Sequence, residues 1–366
     1  MTASEASIER VAARAYQIPT DAPEADGTFE WDGTVLVLVE IEAGGETGLG
    51  YTYSDPSIAV LIEHALTPVL TGRSAFDIGA ANAALWRKVR NLGRSGLAAT
   101  AISALDAGLW DLKAKLLGVP VASLLGRHRD RAPIYGSGGF TTYSYERLSR
   151  QLTGWVEQDG CCWVKIKIGS QRDRDPARVD TARRAIGEAG LFVDANGAYT
   201  AKQALELAEH FAPQGVAWFE EPVSSDDLDG LALMRERAPA GMEIAAGEYG
   251  FNLDDFRRWL SGPAVDVLQA DASRCGGVTG FLQAAALCAT HHLDLSGHCA
   301  PALHLHVACA APRLRHLEWF HDHVRIEHML FDGAPTPHDG AIAPDLNRPG
   351  FGLVFKERDA ERFRVR

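Results

Sequence analysis

"WVKIKIG", residues 163–169, has the apolar, β-branched make-up of a short buried strand, yet it carries Lys165 and Lys167. Side chains alternate along a strand, so both ammonium groups leave on one face, roughly 6.6 Å apart. At an effective dielectric of 20, like charges at that separation repel by about 2.5 kcal/mol. That is nearly two pKa units, and with a nearby divalent cation adding to it a lysine could approach the range of a base at neutral pH.

The strand belongs to a series. After "IYGSG" (134–138) and "WVKIKIG", short apolar runs alternate with helical spacing: 176–189, "LFVDANG" (191–197), 201–211, "VAWFEEP" (216–222), 227–238, "EIAAGE" (243–248), 253–260, "VDVLQAD" (265–271), 277–291, "LDLSGH" (293–298), 301–310 and "HLEWF" (316–320). Such alternation predicts βα units with parallel strands, and eight strand candidates suit a closed barrel better than an open sheet. Upstream, 34–53 reads as two strands about a Gly-rich turn, 57–71 and 78–92 as helices, and 97–117 as a long helix stopped by Gly118 and Pro120. The first part of the chain is thus α+β. The segment 17–32 reads as an acidic loop with Phe29 and Trp31, and the chain beyond Glu318 as loop-like, with its last residues returning to the first domain.

The whole has 366 residues, room for a barrel and a smaller domain. A net charge of −12 argues against a general nucleic-acid or anionic-membrane binder. Apolar runs such as "TVLVLV" (34–39) are too short to span a bilayer. The N-terminal "MTASEASIER" lacks the apolar stretch of a secretory signal. Six cysteines without CxxC spacing read as buried thiols in a reducing compartment, so a cytoplasmic protein is expected.

One polar residue closes each strand from the second onward: Lys167, Asp194, Glu220, Glu248, Asp271, His298 and Glu318, in steps of 27, 26, 28, 23, 27 and 20 residues. Each step is about one βα unit, and in a barrel these ends meet at one mouth. Asp194, Glu220 and Glu248 would repel one another unless a hard cation neutralises them, and Mg²⁺ is the ion this oxygen set favours. Glu221 should point away if its strand continues. Asp271 beside His298 would fix the imidazole tautomer and raise its basicity. Glu318, if protonated, could hydrogen-bond a substrate oxyanion. His304, His306, His316, His321 and His323 lack metal spacing and read as packing or supporting groups. Together these residues describe α-proton abstraction. A metal and one lysine bind a substrate carboxylate, the other lysine takes the neighbouring proton, the metal stabilises the enediolate, and the His298–Asp271 dyad waits opposite.

The stretches "VKIKIG", "VDANGAY", "FEEPV", "AAGE", "LQADASRCGG", "LSGH" and "LEWF", with the helix "AISALDAGLWDLKAKLLGVPVASLLG" (101–126), resemble the enolase superfamily and, within it, the mandelate racemase branch. The resemblance covers nearly the whole chain, in order. It implies a (β/α)7β modified TIM barrel with an α+β capping domain: cap 1–127, barrel 128–325, and 326–366 returning to the cap. It implies Asp194, Glu220 and Glu248 as Mg²⁺ ligands, Lys167 and the His298–Asp271 pair as bases on opposite faces, and Lys165 and Glu318 at the substrate carboxylate. Ser137 and Asn196 are further expected substrate contacts. Asp271 stands where the muconate-lactonizing branch carries a lysine, which lowers the odds of a cycloisomerase, an acylamino acid racemase or a dipeptide epimerase. The expected activity is dehydration of a sugar acid, with racemisation or epimerisation of a 2-hydroxy acid as the alternative. A non-catalytic binding protein on the same barrel would lack a base or a ligand, and none is missing. A small carboxylate substrate and a homo-oligomer complete the expectation, and 17–32 would meet the substrate's distal end.

Overall fold

The computed structural model describes residues 6–366; the first five residues of the expected leaderless N-terminus and cap lie outside them. The cap begins with a three-stranded antiparallel sheet, β1 (Ile8–Ala25), β2 (Glu30–Ala43) and β3 (Glu46–Tyr53). The 18-residue β1 corrects the reading of 17–32 as a loop: only a short turn separates β1 from β2. Its inward positions include small alanines, which mute the alternation, and Pro19 and Pro23 suggest a break. They are tolerated because β1 is an edge strand whose register shifts between Pro19 and Glu24.

Helical turns run from Ser57 to Leu70, and helices follow at Ile78–Lys88 and Leu97–Leu116. The long helix lies directly on β3. A Cβ placed on Gly50 would sit 2.0 Å from the Ala104 carbonyl oxygen, so only glycine admits that approach.

The barrel strands are β4 (Ala132–Gly138), β5 (Trp163–Lys167), β6 (Gly190–Asp194), β7 (Val216–Glu220), β8 (Glu243–Ala246), β9 (Val267–Ala270), β10 (Asp294–Gly297) and β11 (Leu314–Phe320). Each pairs in parallel with its neighbour in sequence, and β11 pairs with β4 to close the barrel. Seven helices join the eight strands, giving the expected (β/α)7β order; the first of them, Tyr145–Glu157, was not among the helical segments read from the sequence. The chain after β11 is not loop-like, because His321–Leu330 forms a helix that buries Ile326 and Leu330. Its polar first turn, "HDHVR", hides the spacing.

A buried carboxylate ties the C-terminal segment to the cap. Asp111 accepts from the backbone N–H of Leu49 (2.7 Å) and of Phe351 (2.6 Å), joining β3 to the C-terminal segment. Val365 N–H donates to the Ala15 carbonyl, so the last residues run beside β1. Cys162 is exposed, unlike the other five cysteines, because it sits in the turn entering β5. No described helix is long and apolar enough to cross a membrane.

Candidate active site at the barrel mouth

The strand ends bring the polar series together. Asp194 and Glu220 are the last residues of β6 and β7, and Glu248 lies two beyond β8. One oxygen from each of the three lies within 4.8 Å of the others, and all three side chains are buried. Lys167 donates to Asp194 Oδ2 (2.5 Å) and to Asn196 Oδ1 (3.1 Å). Lys165 is wholly buried. It pairs with Glu220, with Glu318 Oε1 at 2.9 Å and with Asp194 Oδ2 at 3.4 Å.

Across the mouth, His298 Nδ1 meets Asp271 Oδ2 at 2.9 Å, which leaves Nε2 to face Glu248 Oε2 (3.4 Å), Cys299 Sγ (3.3 Å) and Glu318 Oε2 (3.6 Å). Arg274 donates to the Glu248 carbonyl at 3.1 Å and lies 3.5 Å from Asp271 Oδ2.

The protein's own charged groups work against the expected lowering of the lysine pKa values. Burial alone would lower both lysine pKa values, and Lys165 also pushes Lys167 down. The facing carboxylates outweigh this: Glu220 and Glu318 hold Lys165 well above its ordinary value, and Asp194 holds Lys167 above its own. The i,i+2 repulsion read from the sequence omitted these partners, which come from other strands. The reading of Glu318 is corrected. Burial would raise its pKa, but Lys165 and then His298 hold it well below the usual carboxylate range, so it is an ionised acceptor rather than a protonated donor. Burial also opposes ionisation of Asp271, yet the His298 hydrogen bond keeps it below its ordinary value. Glu220 is pushed up by burial and by the Asp194 charge.

Glu221 does not point away. β7 ends at Glu220, and Glu221 takes a left-handed backbone (φ +37°), which breaks the alternation. Its carboxyl is buried among Glu248, Asp194 and Glu220, and burial with those charges drives its pKa well up. Six carboxyl groups (Asp194, Glu220, Glu221, Glu248, Asp271, Glu318) thus face three fixed cations (Lys165, Lys167, Arg274). Glu248 Oε2 and Glu221 Oε1 are buried without a hydrogen-bond partner. Unpaired buried carboxylate oxygens beside a carboxylate trio are what a hard divalent cation would satisfy, so the residues fit Mg²⁺.

A cavity of about 340 Å³ opens above these groups, lined at its base by Lys167, Asn196, Glu248, His298 and Glu318. Its upper wall comes from the cap: Asp26, Phe29, Trp31, Thr34 and Tyr53. The 17–32 segment therefore does reach the cavity, as the β1–β2 turn. Gly27 makes that possible, since a Cβ there would lie 2.2 Å from the Ala195 carbonyl oxygen and 2.7 Å from that of Ile168. Asp26 Oδ1 accepts from the N–H groups of Thr28 and Phe29 and shapes the turn. Trp31 is held by its indole N–H on Glu24 Oε2 at 2.9 Å.

Ser137 is not at the cavity. It lies beneath, donating to Glu318 Oε1 at 2.6 Å, and Lys165 lies at the same level. Sequence reasoning missed Tyr53, Tyr249, Arg274 and Cys299, and read His323 only as a packing or supporting group although it lines the cavity. Arg274 and Cys299 stand next to motif residues and were findable. Tyr53 and His323 meet only in the folded chain, their rings stacked at 3.5 Å.

Comparison with known proteins shows the family. The "Mandelate racemase / muconate lactonizing enzyme, N-terminal domain" family matches residues 22–126, and "Enolase C-terminal domain-like" matches 147–360. The chain is 32% identical to L-talarate/galactarate dehydratase of Salmonella typhimurium, over 88% of this chain and 81% of that one. It is 33% identical to 3,6-anhydro-alpha-L-galactonate cycloisomerase of Streptomyces coelicolor, over 95% and 97%. Among solved structures, a mandelate racemase/muconate lactonizing enzyme-like protein from Rubrobacter xylanophilus superposes with TM-score 0.96 at 48% identity, covering 98% of this chain and all of the other. L-Talarate dehydratase of Polaromonas, complexed with Mg and L-glucarate, gives 0.89 at 31%, covering 99% and 98%. A Bradyrhizobium enolase complexed with magnesium and mandelic acid gives 0.89 at 27%, covering 99% of each chain.

Proposed function

The chain belongs to the mandelate racemase/muconate lactonizing enzyme family of the enolase superfamily, whose relatives here are lyases and isomerases, and from that premise we propose that it is a Mg²⁺-dependent dehydratase of a sugar acid. The observation that carries the reading is one mouth with a carboxylate trio between two proton-transfer groups, Lys167 on one side and the Asp271-bonded His298 on the other.

Asp194, Glu220 and Glu248 would hold the ion. Bound there, Mg²⁺ supplies positive charge that stabilises the anion of a carboxylate substrate losing its α-proton. Lys165 and Glu318 set the charge at the substrate carboxylate, and Asn196 hydrogen-bonds Lys167 and lines the cavity. Once Asp194 and Glu248 serve a cation, the pull that raises Lys167 is withdrawn, and burial and the Lys165 charge remain to favour its neutral, proton-accepting form. Lys167 then takes the proton at C2. His298, carrying a proton on Nε2 as well as on Nδ1 for this step, gives the Nε2 proton to the departing 3-hydroxyl, which leaves as water, and the enol product ketonises to a 2-keto-3-deoxy acid. Asp271 keeps His298 Nδ1 protonated, so Nε2 is the working nitrogen.

The same proposal has the substrate's distal end against Trp31 and Phe29, a homo-oligomeric and cytoplasmic protein, and a division into cap (1–127), barrel (128–325) and returning segment (326–366). The Val365–Ala15 hydrogen bond supports the return to the cap, and the buried free cysteines support a reducing compartment. A second reading is racemisation of an aryl 2-hydroxy acid. The stacked Phe29–Trp31 pair at the cavity wall, with ring centroids 6.2 Å apart, favours it.

The test is a panel of sugar acids and aryl 2-hydroxy acids incubated with protein and Mg²⁺ and analysed by mass spectrometry and NMR. Loss of water with a 2-keto product from a sugar acid is expected. Inversion at C2 with the skeleton retained would replace dehydration by the second reading.

A further inference from the structure

Two consecutive non-glycine residues directly after His298 hold left-handed backbone: Cys299 (φ +52°) and Ala300 (φ +38°). Such backbone is unfavourable for a residue with a side chain and persists only where its surroundings enforce it. Buried side chains do so here. Cys299 N–H donates to Glu318 Oε2 at 3.0 Å, and Ala300 N–H donates to His323 Nδ1 at 3.1 Å. The Ala300 carbonyl meets His304 Nδ1 at 3.0 Å.

His304 differs from the other clamps because its second nitrogen reaches the neighbouring strand end. Ala272 N–H donates to His304 Nε2 at 2.7 Å. A backbone N–H can only donate, so Nε2 is the acceptor and Nδ1 carries the proton that goes to Ala300. The fully buried ring is thereby a neutral strut with one defined tautomer. One end grips the residue after Asp271 and the other grips the residue two beyond His298. The strut spans the two segments whose side chains form the Asp271–His298 hydrogen bond, and its Nε2 stays 3.7 Å from Asp271 Oδ1, touching neither the cavity nor the trio. Phe281 packs edge-on against it, ring centroids 5.4 Å apart, which fixes the ring plane.

We propose that His304 is a positioning residue for one face of the reaction: it sets the separation of Asp271 and His298, and through it the tautomer and aim of the His298 ring. No equivalent link runs from His304 to Lys167, which is anchored on β5 and β6 by Asp194 and Asn196. The kinetic part of this inference rests on the two-base reading above; the tautomer part does not.

The test compares the Mg²⁺-loaded wild-type chain with His304→Phe, which removes both hydrogen bonds at similar volume, and with His304→Gln, which keeps an acceptor for Ala272 should the first variant fail to fold. The first readout is imidazole ¹⁵N NMR, the His298 signals being assigned by their loss in His298→Asn. In the neutral form of the ring, wild type is expected to carry the His298 proton on Nδ1, and the variants a tautomer mixture. The second readout is deuterium uptake at C2 in D₂O from each of two C2-epimeric acids. Uptake on the His298 face is expected to fall about 10–100-fold, the usual cost of losing a supporting hydrogen bond, with Lys167-face uptake within about threefold of wild type. An unchanged His298 tautomer, or equal losses on both faces, would overturn the proposal. Absence of exchange from every acid with wild type would instead refute the two-base reading, and the tautomer measurement would still decide the role of His304.

Discussion

Replacing Lys167 by methionine should destabilise the protein strongly without Mg²⁺ and weakly with it. Lys167 Nζ lies 2.5 Å from Asp194 Oδ2 in a buried site. Without the ammonium, Asp194 keeps the Asn196 N–H at 2.9 Å but only one cation, Lys165 at 3.4 Å, which already serves Glu220 and Glu318. Removing one partner of a buried pair costs about 3–5 kcal/mol, because the remaining charge is stranded. Methionine replaces most of the lysine stem, so the packing loss stays under about 1.5 kcal/mol. Saturating Mg²⁺ gives Asp194 a new counter-charge, and only the packing loss should remain. At about 2 °C per kcal/mol for a chain of this size, the variant should melt roughly 6–13 °C below wild type in EDTA and about 3 °C or less below it in Mg²⁺. Scanning calorimetry in both buffers measures this. Equal losses in the two buffers would refute the reasoning, since Asp194 would then not be shared between Lys167 and a cation.

Three further outcomes follow from the same structure. Glu327, buried under Tyr51, has its pKa pushed up to about 8 by burial. The folded state therefore holds a proton that the unfolded chain releases near 4.5, and stability falls as pH rises from about 4.5 to 8, by at most about 1.4 kcal/mol per unit. In Glu327→Gln that contribution to the slope should vanish, as urea denaturation at a series of pH values would show; an unaltered slope would mean that Glu327 is ionised in the fold. His306 is buried, and its pKa is lowered to about 4. The unfolded chain binds its proton first, so stability should drop on acidification from about 6.5 to 4, and His306→Gln should flatten that limb in the same experiment. Gly27→Ala should lift the β1–β2 turn from Ala195, costing about 1–3 kcal/mol of packing, and should raise KM while changing kcat less; an unchanged KM would show that the turn does not help close the cavity.

The barrel and most of the site were legible because one βα unit repeats about every 26 residues and places one polar side chain at each strand end. That regularity located Lys167, Asp194, Glu220, Glu248, Asp271, His298 and Glu318 without any tertiary information. Charge balance was not legible. Lys165 and Lys167 look like a repelling pair in "WVKIKIG", and only the closed barrel shows three other strands supplying their carboxylates. Glu221 was misread because strand alternation was carried one residue past the end of β7, into a left-handed turn. β1 was hidden by its alanines and prolines. His323 and Tyr53 come from the barrel and the cap respectively, and nothing local in either segment announces their contact.

The most direct test of the central claim follows C2–H exchange in D₂O by NMR with the sugar acid that the protein dehydrates, using wild type, Lys167→Ala and His298→Asn, each with Mg²⁺ and with EDTA. Wild type should lose water and incorporate deuterium only with Mg²⁺. Lys167→Ala should neither exchange C2–H nor dehydrate, and His298→Asn should still exchange C2–H while losing dehydration by orders of magnitude. Full dehydration by Lys167→Ala, or turnover in EDTA undiminished from that in Mg²⁺, would contradict the account.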